Sequence, residues 1–275
     1  MIPFELAEPD SLSQAISLLG EEGARALSGG TALMLMMKAG VLRPARLVSL
    51  RKLELHEIAT GDGEALRVGA MATLGALERS AAVKKGWPVI TRALRTLSNV
   101  RVRNVATVGG ALAHADPHMD LPPILSALGA RVTIAGPRGE RSAPIEDLYA
   151  GYLETTLQRG ELITRLEVPA LGKRRAAYLR CTTRSADDWP ALGMAVVLDG
   201  DEARVVMSAA TDKPTRLWSA EKILKQDPNA LKQAAEAAAE EVQIESDLHG
   251  SAAYKKQLIR VYLARTVHEA RNAVH

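Results

Sequence analysis

The chain has 275 residues, 47% of them apolar and 24% charged, with a net charge of only +3 and a mean hydropathy of −0.03. This is ordinary globular composition for two or three subdomains, and no apolar run nears the ~18 residues that cross a bilayer. The single cysteine, Cys181, excludes an intrachain disulfide framework and a cysteine-ligated iron–sulfur cluster within the chain, and it suits a reducing, cytoplasmic compartment.

The opening "MIPFELAEPD" is acidic and lacks the pattern of a signal peptide, so none is expected. "PDSLSQAISLL" predicts a helix capped by Asp10 or Ser11, with Leu12, Ala15, Ile16 and Leu19 at i, i+3, i+4 and i+7, closed by Gly20 and Gly23. "ARAL" and "ARLVSL" read as strands, so residues 1–55 form a small βαβ-type unit. Its glycine turn sits at the carboxyl end of a strand, the usual ligand edge of an open α/β sheet.

A second unit, residues 56–172, is expected to hold a strand at "ALRVGA", a helix capped by Thr73 and a longer helix through "VITRALRTL". An irregular loop, a short helix in "LPPILSAL" and strands at "RVTIAG" and "ELITRLEVP" follow, and the unit reads as α/β. Within residues 173–275, "AAYLRCTT", "ALGMAVVLDG" and "EARVVMSAA" predict an antiparallel meander with Gly200-Asp201 in its second turn. Helices then run to the end. Asp227 is expected to cap one with Pro228 at its first position, and the last helix carries Tyr254, Leu258, Val261 and Tyr262 on one stripe. The basic residues Arg92, Arg95, Arg101 and Arg103, and Lys173 to Arg175, have no interleaved aromatics, which argues against a nucleic-acid surface, and Lys173 to Arg175 read as solvated faces flanking loops.

Two short stretches carry the chemistry. "LSGGTA" and "TVGGA" each place paired glycines beside small or hydroxyl residues, which lets backbone amides converge on an anion. Either can be a plain turn, yet two of them suit the two phosphates of a diphosphate. Neither matches a Rossmann or Walker pattern. After the second come His114, Asp116, His118 and Asp120, alternating as a metal site might. Pro117 and "DLPP" argue instead for an irregular loop whose last carboxylate, Asp120, caps the helix at Leu121.

"SGGTALMLMMK" and "TVGGALAHADPHMDLP" resemble the two FAD-binding motifs of the flavoprotein (medium) subunit of molybdenum hydroxylases, the family of carbon monoxide and xanthine dehydrogenases. The resemblance continues through "RLVSLRKL", "LRVGAMATLGALE", "LITRLEVP", "DDWPALGMAVVL" and "DLHGSAAYKKQLIRVYLARTVHEA", and so covers essentially the whole chain. It implies an α+β, vanillyl-alcohol-oxidase-like (PCMH-type) FAD fold: two N-terminal α/β subdomains and a C-terminal antiparallel sheet with helices. FAD would lie between them, held by Leu27, Ser28, Gly29, Gly30, Thr31, Ala32 and Leu33 and by Thr107, Val108, Gly109, Gly110 and Ala111. Asp120 would contact the cofactor, His114 and Asp116 would shape the same loop, and Ile163 would pack on the adenine or flavin ring. Trp189, after the "SADD" stretch that reads as a mobile edge, takes the place of a residue against the isoalloxazine ring. Arg180 falls where some relatives have a flavin-contacting lysine, and a cation there would stabilise the anionic reduced flavin. Ala111 and Ala32 replace polar residues common in relatives.

The resemblance further implies an electron-transfer subunit with no catalytic acid or base of its own. Its partners would be a large molybdopterin-binding subunit and a small subunit with two 2Fe–2S clusters, in a dimer of heterotrimers. The alternatives are a stand-alone FAD oxidoreductase and a flavin-free assembly subunit. Substrate and terminal acceptor are not encoded in recognisable form.

Overall fold

The first fifty residues build a three-stranded parallel sheet from β1 (Glu5–Ala7), β2 (Ala24–Leu27) and β3 (Arg46–Ser49), with β3 in the centre. The computed structural model describes every residue except 1–2, 62–63, 184, 186–187 and 274–275. Helix α1 (Leu12–Leu19) starts at Ser11, whose extended backbone and side-chain bond from the Gln14 amide settle which residue caps it. It buries Ala15 and Leu19 against Ala24, Val48, Leu50 and Leu53. Helix α2 (Leu33–Lys38) follows the first glycine turn.

The middle region departs from the expected α/β alternation. Its strands, β4 (Ile58–Thr60), β5 (Leu66–Gly69), β6 (Arg131–Gly136), β7 (Gly139–Pro144) and β10 (Leu162–Val168), form one sheet in the order β4-β5-β10-β6-β7. Every pairing in it is antiparallel. The physical reason is that β10 returns between β5 and β6, so neighbours run in opposite senses although helices lie between them in sequence. Strand β7, "GERSAP", was not anticipated: it is polar and exposed because it is a sheet edge. A two-stranded ribbon of β8 (Tyr149–Gly151) and β9 (Glu154–Thr155) was likewise silent. Helices α3 (Leu74–Arg79), α4 (Ala81–Gly86), α5 (Pro88–Thr96), α6 (Val100–Arg103), α7 (Val108–His114) and α8 (Leu121–Leu128) surround the sheet. Thr73 caps α3 as predicted.

The C-terminal meander is as predicted: β11 (Arg175–Thr182), β12 (Pro190–Asp199) and β13 (Glu202–Ser208) pair antiparallel in sequence order, with a short β14 (Thr215–Arg216) at the edge. Gly200, at φ +56°, turns the second hairpin. Of the "SADD" stretch, Ala186 and Asp187 lie outside the described residues. Three helices complete the region: α9 (Trp218–Gln226), α10 (Leu231–Glu241) and α11 (Ala252–Asn272).

The central strand β12 is buried on both faces, and its parity divides two cores. Ala195 and Val197 join the core of the middle region, together with Ala176 and Val206. Leu192, Met194 and Val196 join the core under α9, α10 and α11. Each Leu or Val so buried contributes roughly 1.5–3 kcal/mol.

Two helix expectations are corrected. Asp227 does not cap α10; it ends α9, and its carboxylate accepts the Asn229 amide at 2.8 Å, a local turn that delays the helix to Leu231. On α11 the buried face is Lys255, Leu258, Ile259, Leu263, Thr266, Val267 and Ala270, while Tyr254 is exposed. The predicted stripe was rotated because it took a buried lysine for a solvent residue. No helix among the described residues is long and apolar enough to cross a membrane.

Candidate cofactor-binding site

The two glycine turns, about eighty residues apart in sequence, touch in space. Thr107 donates its hydroxyl to the Ser28 hydroxyl at 3.0 Å and accepts the Gly110 amide at 3.1 Å, so one side chain caps α7 and clamps the first turn. The contact is too close for side chains. A Cβ on Gly29 would stand 2.2 Å from the Val105 carbonyl oxygen, and one on Gly110 would stand 2.6 Å from the Ser28 hydroxyl. Gly30 has a different reason to be glycine: its φ is +69°.

The turns differ in what their amides do. In the second, Val108 and Gly109 donate to the carbonyls of Ala72 and Ala70, Gly110 to Thr107 Oγ1 and Ala111 to the Thr107 carbonyl. Ala70 in turn donates to Thr164, beside Ile163 on β10, which ties this turn to the central sheet. In the first turn, by contrast, the amides of Gly29, Thr31 and Ala32 meet no acceptor among the described residues. They lie at the start of α2, where unpaired N–H groups favour an anion. The predicted symmetry of two equal nests therefore gives way to a division of labour. The first turn offers donors, and the second supplies a rigid wall.

Helix α7 is that wall. Val108, Ala111 and Leu112 are buried, whereas Gly110, Ala113 and His114 remain accessible on the opposite face. Seven residues at the helical rise make a lane about 10 Å long with almost no side-chain bulk at its start. Ala111 belongs to the apolar core, which accounts for an apolar residue at this position. Ala32 is half-buried at the entry to α2.

The lane ends in the loop over residues 115–120. Ala115 closes α7 in the left-handed region at φ +55°. Asp116 then gathers its neighbours: its carboxylate takes the His118 amide and Nδ1, each at 2.9 Å, and His114 Nε2 lies 3.9 Å away. Burial pushes the Asp116 carboxyl up, but the two His118 donors and the nearby imidazoles outweigh it and hold the group below the usual carboxylate range. Burial also lowers His114, against the pull of Asp116. His118 meets Trp189 edge-on, with centroids 5.6 Å apart, and packs on His249 at 4.9 Å. Trp189 is 45% exposed, placed over the end of the lane and not inside a core. No group of three or more His, Cys, Asp or Glu among the described residues is set to hold a metal ion.

Asp120 was expected to cap α8. It occupies the cap position, but its backbone is helical and its side chain makes no capping bond. The carboxylate is taken instead by Tyr178, at 2.5 Å, and by Arg180, at 2.6 Å, both on β11. Burial pushes the Asp120 carboxyl up, opposed by Arg180 and the Tyr178 hydroxyl. Arg180 also reaches the Asp188 carbonyl at 3.4 Å, next to Trp189.

The structure thus brings Ser28, Gly29, Thr107 and Gly110 into one contact, with Leu27, Gly30, Thr31, Ala32 and Leu33 beside it, while Gly109 packs against Ala70. His114, Asp116, Asp120, Arg180 and Trp189 gather at the far end of α7. Val108, Ala111 and Ile163 turn their side chains into the core. Sequence reasoning missed Tyr178 and His249. Tyr178 had a signal, since it lies two residues from Arg180 on a strand and so shares its face; His249 had none.

A family model described as "FAD binding domain in molybdopterin dehydrogenase" matches residues 2–171, and one described as "CO dehydrogenase flavoprotein C-terminal domain" matches residues 177–270. The glyceraldehyde dehydrogenase medium chain of Sulfolobus acidocaldarius is 30% identical, over 97% of this chain and 98% of its own. Among solved structures, the reconstituted CO dehydrogenase from Oligotropha carboxidovorans aligns over 100% of both chains with a TM-score of 0.93 and 30% identity. Quinoline 2-oxidoreductase from Pseudomonas putida 86 aligns over 98% of this chain and 97% of that one, with a TM-score of 0.90 and 30% identity.

Proposed function

Because this chain belongs to the FAD-binding subunits of the molybdenum hydroxylase family, we propose that it is the electron-transfer subunit of a larger dehydrogenase. In this reading it takes electrons from two 2Fe–2S clusters of a small subunit and passes them to an external acceptor, while substrate is oxidised at a molybdenum cofactor in a large subunit. The observation that carries it is the convergence of the two glycine turns through Ser28 and Thr107, with unpaired amides alongside. That donor set fits a diphosphate, as the two-turn pattern suggested.

FAD, when bound, supplies the redox chemistry; the protein supplies binding, orientation and electrostatics. The amides of Gly29, Gly30, Thr31 and Ala32 would hold the diphosphate, and the turn flanks Leu27 and Leu33 would seat it. Thr107, Gly109 and Gly110 keep bulk away, and Val108, Ala111 and Ile163 act through the core that fixes this wall. Further along α7, His114 and Asp116 would shape the loop, and Asp120 and Arg180 would define the charge near the ring. Trp189 would cover it and exclude water. No residue of this chain is required as a general acid or base.

We further propose three functional units, residues 1–55, 56–172 and 173–275, in a dimer of heterotrimers. The lone thiol supports a reducing, cytoplasmic location. The test is a visible absorption spectrum of the native complex, with chromatographic identification of released flavin and metal analysis of the same fractions. About one FAD per chain co-eluting with molybdenum and iron supports the proposal. FAD without metals points to a stand-alone flavoenzyme, and a folded chain without flavin to an assembly subunit.

A further inference from the structure

We propose that the outer surface of α3, α4, α5 and α6 is a docking face for a small acidic electron-carrier protein, which takes electrons from this subunit one at a time. This rests on the reading of the chain as an electron-transfer subunit, and it names the class of its external acceptor.

Charge is spread unevenly along the chain. Residues 74–105 hold seven Lys and Arg against one carboxylate, Glu78, a net of +6 in a chain whose total is only +3, so the rest of the chain is net acidic. Folding takes that one acid out of play. Glu78 accepts the Arg103 guanidinium at 2.8 Å, and Arg103 turns Nη1 inward to the Leu97 and Ser98 carbonyls. Arg79, Lys84, Lys85, Arg92, Arg95 and Arg101 are all exposed, and none of them makes an ion pair among the described residues. The helices that carry them pack on one another, and Arg79 donates to the Asn104 side chain at 3.0 Å, which brings the two ends of the segment together. These cations therefore share one compact surface. Lys173 extends it, because Trp87 donates its indole N–H to the Pro169 carbonyl at 2.9 Å and the exposed Lys173 lies in the turn that follows.

Val100 and Val105 are 54% and 51% exposed beside the charges. The Val105 carbonyl packs on Gly29, so the face borders the first glycine turn. A surface so charged and so poor in apolar area does not suit a permanent subunit contact, whose core is apolar and depleted in lysine. It suits a brief encounter steered by opposite charge, the regime of electron-carrier complexes. A nucleic acid would call for aromatic platforms, and the one aromatic of the segment, Trp87, is buried. Arg79, Lys84, Lys85 and Arg95 also stand in the last turn of a helix, where they oppose its dipole, but that role does not extend to Arg92 in the middle of α5. Each encounter passes one electron, so two carriers are reduced for every electron pair the subunit receives, and the accompanying protons go to solvent.

The experiment is calorimetric titration of the native complex with an oxidised plant-type 2Fe–2S ferredoxin, an acidic one-electron carrier, at rising ionic strength. Wild type is compared with a variant carrying Arg92→Gln, Arg95→Gln and Arg101→Gln. Wild type binds at low salt and loses affinity steeply as salt rises. The triple variant binds about tenfold or more weakly at low salt, with a flatter salt dependence. Wild-type affinity and salt dependence in the folded variant overturn the proposal. So does a wild-type complex that fails to bind ferredoxin at low salt, or that binds the basic cytochrome c as tightly. Arg92→Glu alone spares every helix end and shifts affinity in the same direction; an effect confined to thermal stability in either variant assigns the arginines to the helices and overturns the docking role. Loss of a subunit from the triple variant on gel filtration makes the face a permanent interface. Co-sedimentation of the wild type with phosphatidylserine vesicles makes it a membrane contact, and either result overturns the proposal. Flavin content of the same samples tests the underlying reading separately, because docking is read as heat and not as electron flow.

Discussion

Replacing Gly29 by alanine tests the contact between the two glycine turns, and Gly30→Ala is its control. At Gly29 the new Cβ would meet the Val105 carbonyl oxygen at 2.2 Å and Ala106 Cα at 2.9 Å, both backbone atoms. Ordinary contact distances require the turns to separate by about 1 Å, and overpacking of this kind costs about 1–3 kcal/mol or somewhat more. At Gly30 the neighbours are the flexible side chains of Leu27 and Met34, at 3.1 and 3.4 Å, and the penalty is mainly that of φ +69°. That costs about 1 kcal/mol for alanine. A chain of this size loses roughly 2–4 °C of Tm per kcal/mol, so a cost of about 3 kcal/mol at Gly29, where both clashing atoms are backbone, lowers Tm by about 6–12 °C, and about 1 kcal/mol at Gly30 lowers it by about 2–4 °C. Spreading the turns also moves the unpaired amides, so FAD affinity falls about tenfold or more in Gly29→Ala, equivalent to about 1.4 kcal/mol. Thermal unfolding and flavin-fluorescence titration of the two variants side by side give both numbers. If Gly29→Ala is no worse than Gly30→Ala in either assay, the close approach of the turns does not hold the site together.

Thr107→Val removes the cap of α7 and the bond to Ser28 together and lowers stability by about 1–2 kcal/mol, whereas Ser28→Ala, which loses only an acceptor, costs less; denaturant unfolding compares them. His114 is held neutral by burial, so its folded pKa lies below the unfolded value of about 6.5. Its contribution is present above that value and is lost as pH falls through the window beneath it, because the unfolded state then binds the extra proton. His114→Asn removes this dependence, so the Tm difference between the two proteins changes between pH 7 and pH 5; parallel curves over that range would exclude it. On α11, Lys255 is 2% exposed while its partner Asp247 is 37% exposed, at 2.6 Å. Asp247→Ala therefore leaves a buried ammonium and costs about 3–5 kcal/mol, whereas Lys255→Met leaves only a carboxylate that water can reach and is close to neutral. Equal losses in the two variants would refute the asymmetry.

What could be read from the sequence was whatever depends on neighbours in the chain. Ser11 and Thr73 cap helices because a hydroxyl followed by the right spacing is a local signal. The meander was legible because apolar strands separated by short turns have few other ways to pair. The glycine turns announced a ligand loop, but not that the amides of one are consumed by Ala70, Ala72 and Thr107, since those acceptors come from elsewhere in the fold. The antiparallel order of the middle sheet escaped for the same reason. So did Asp120, whose partner Tyr178 lies 58 residues away and outcompetes the helix cap that the local pattern favoured.

The parity of β12 has a bearing on ancestry. The two matched regions, 2–171 and 177–270, read as separable modules, yet alternate residues of one strand complete the cores of both. A polypeptide ending at Leu171 would present a long apolar trough where Ala176, Ala195, Val197 and Val206 belong, a surface of the sort that aggregates. The seam between the regions is therefore a boundary of inheritance and not of folding. Change along β12 has to satisfy two interiors at once, so the strand is the part of this chain least free to drift as relatives diverge.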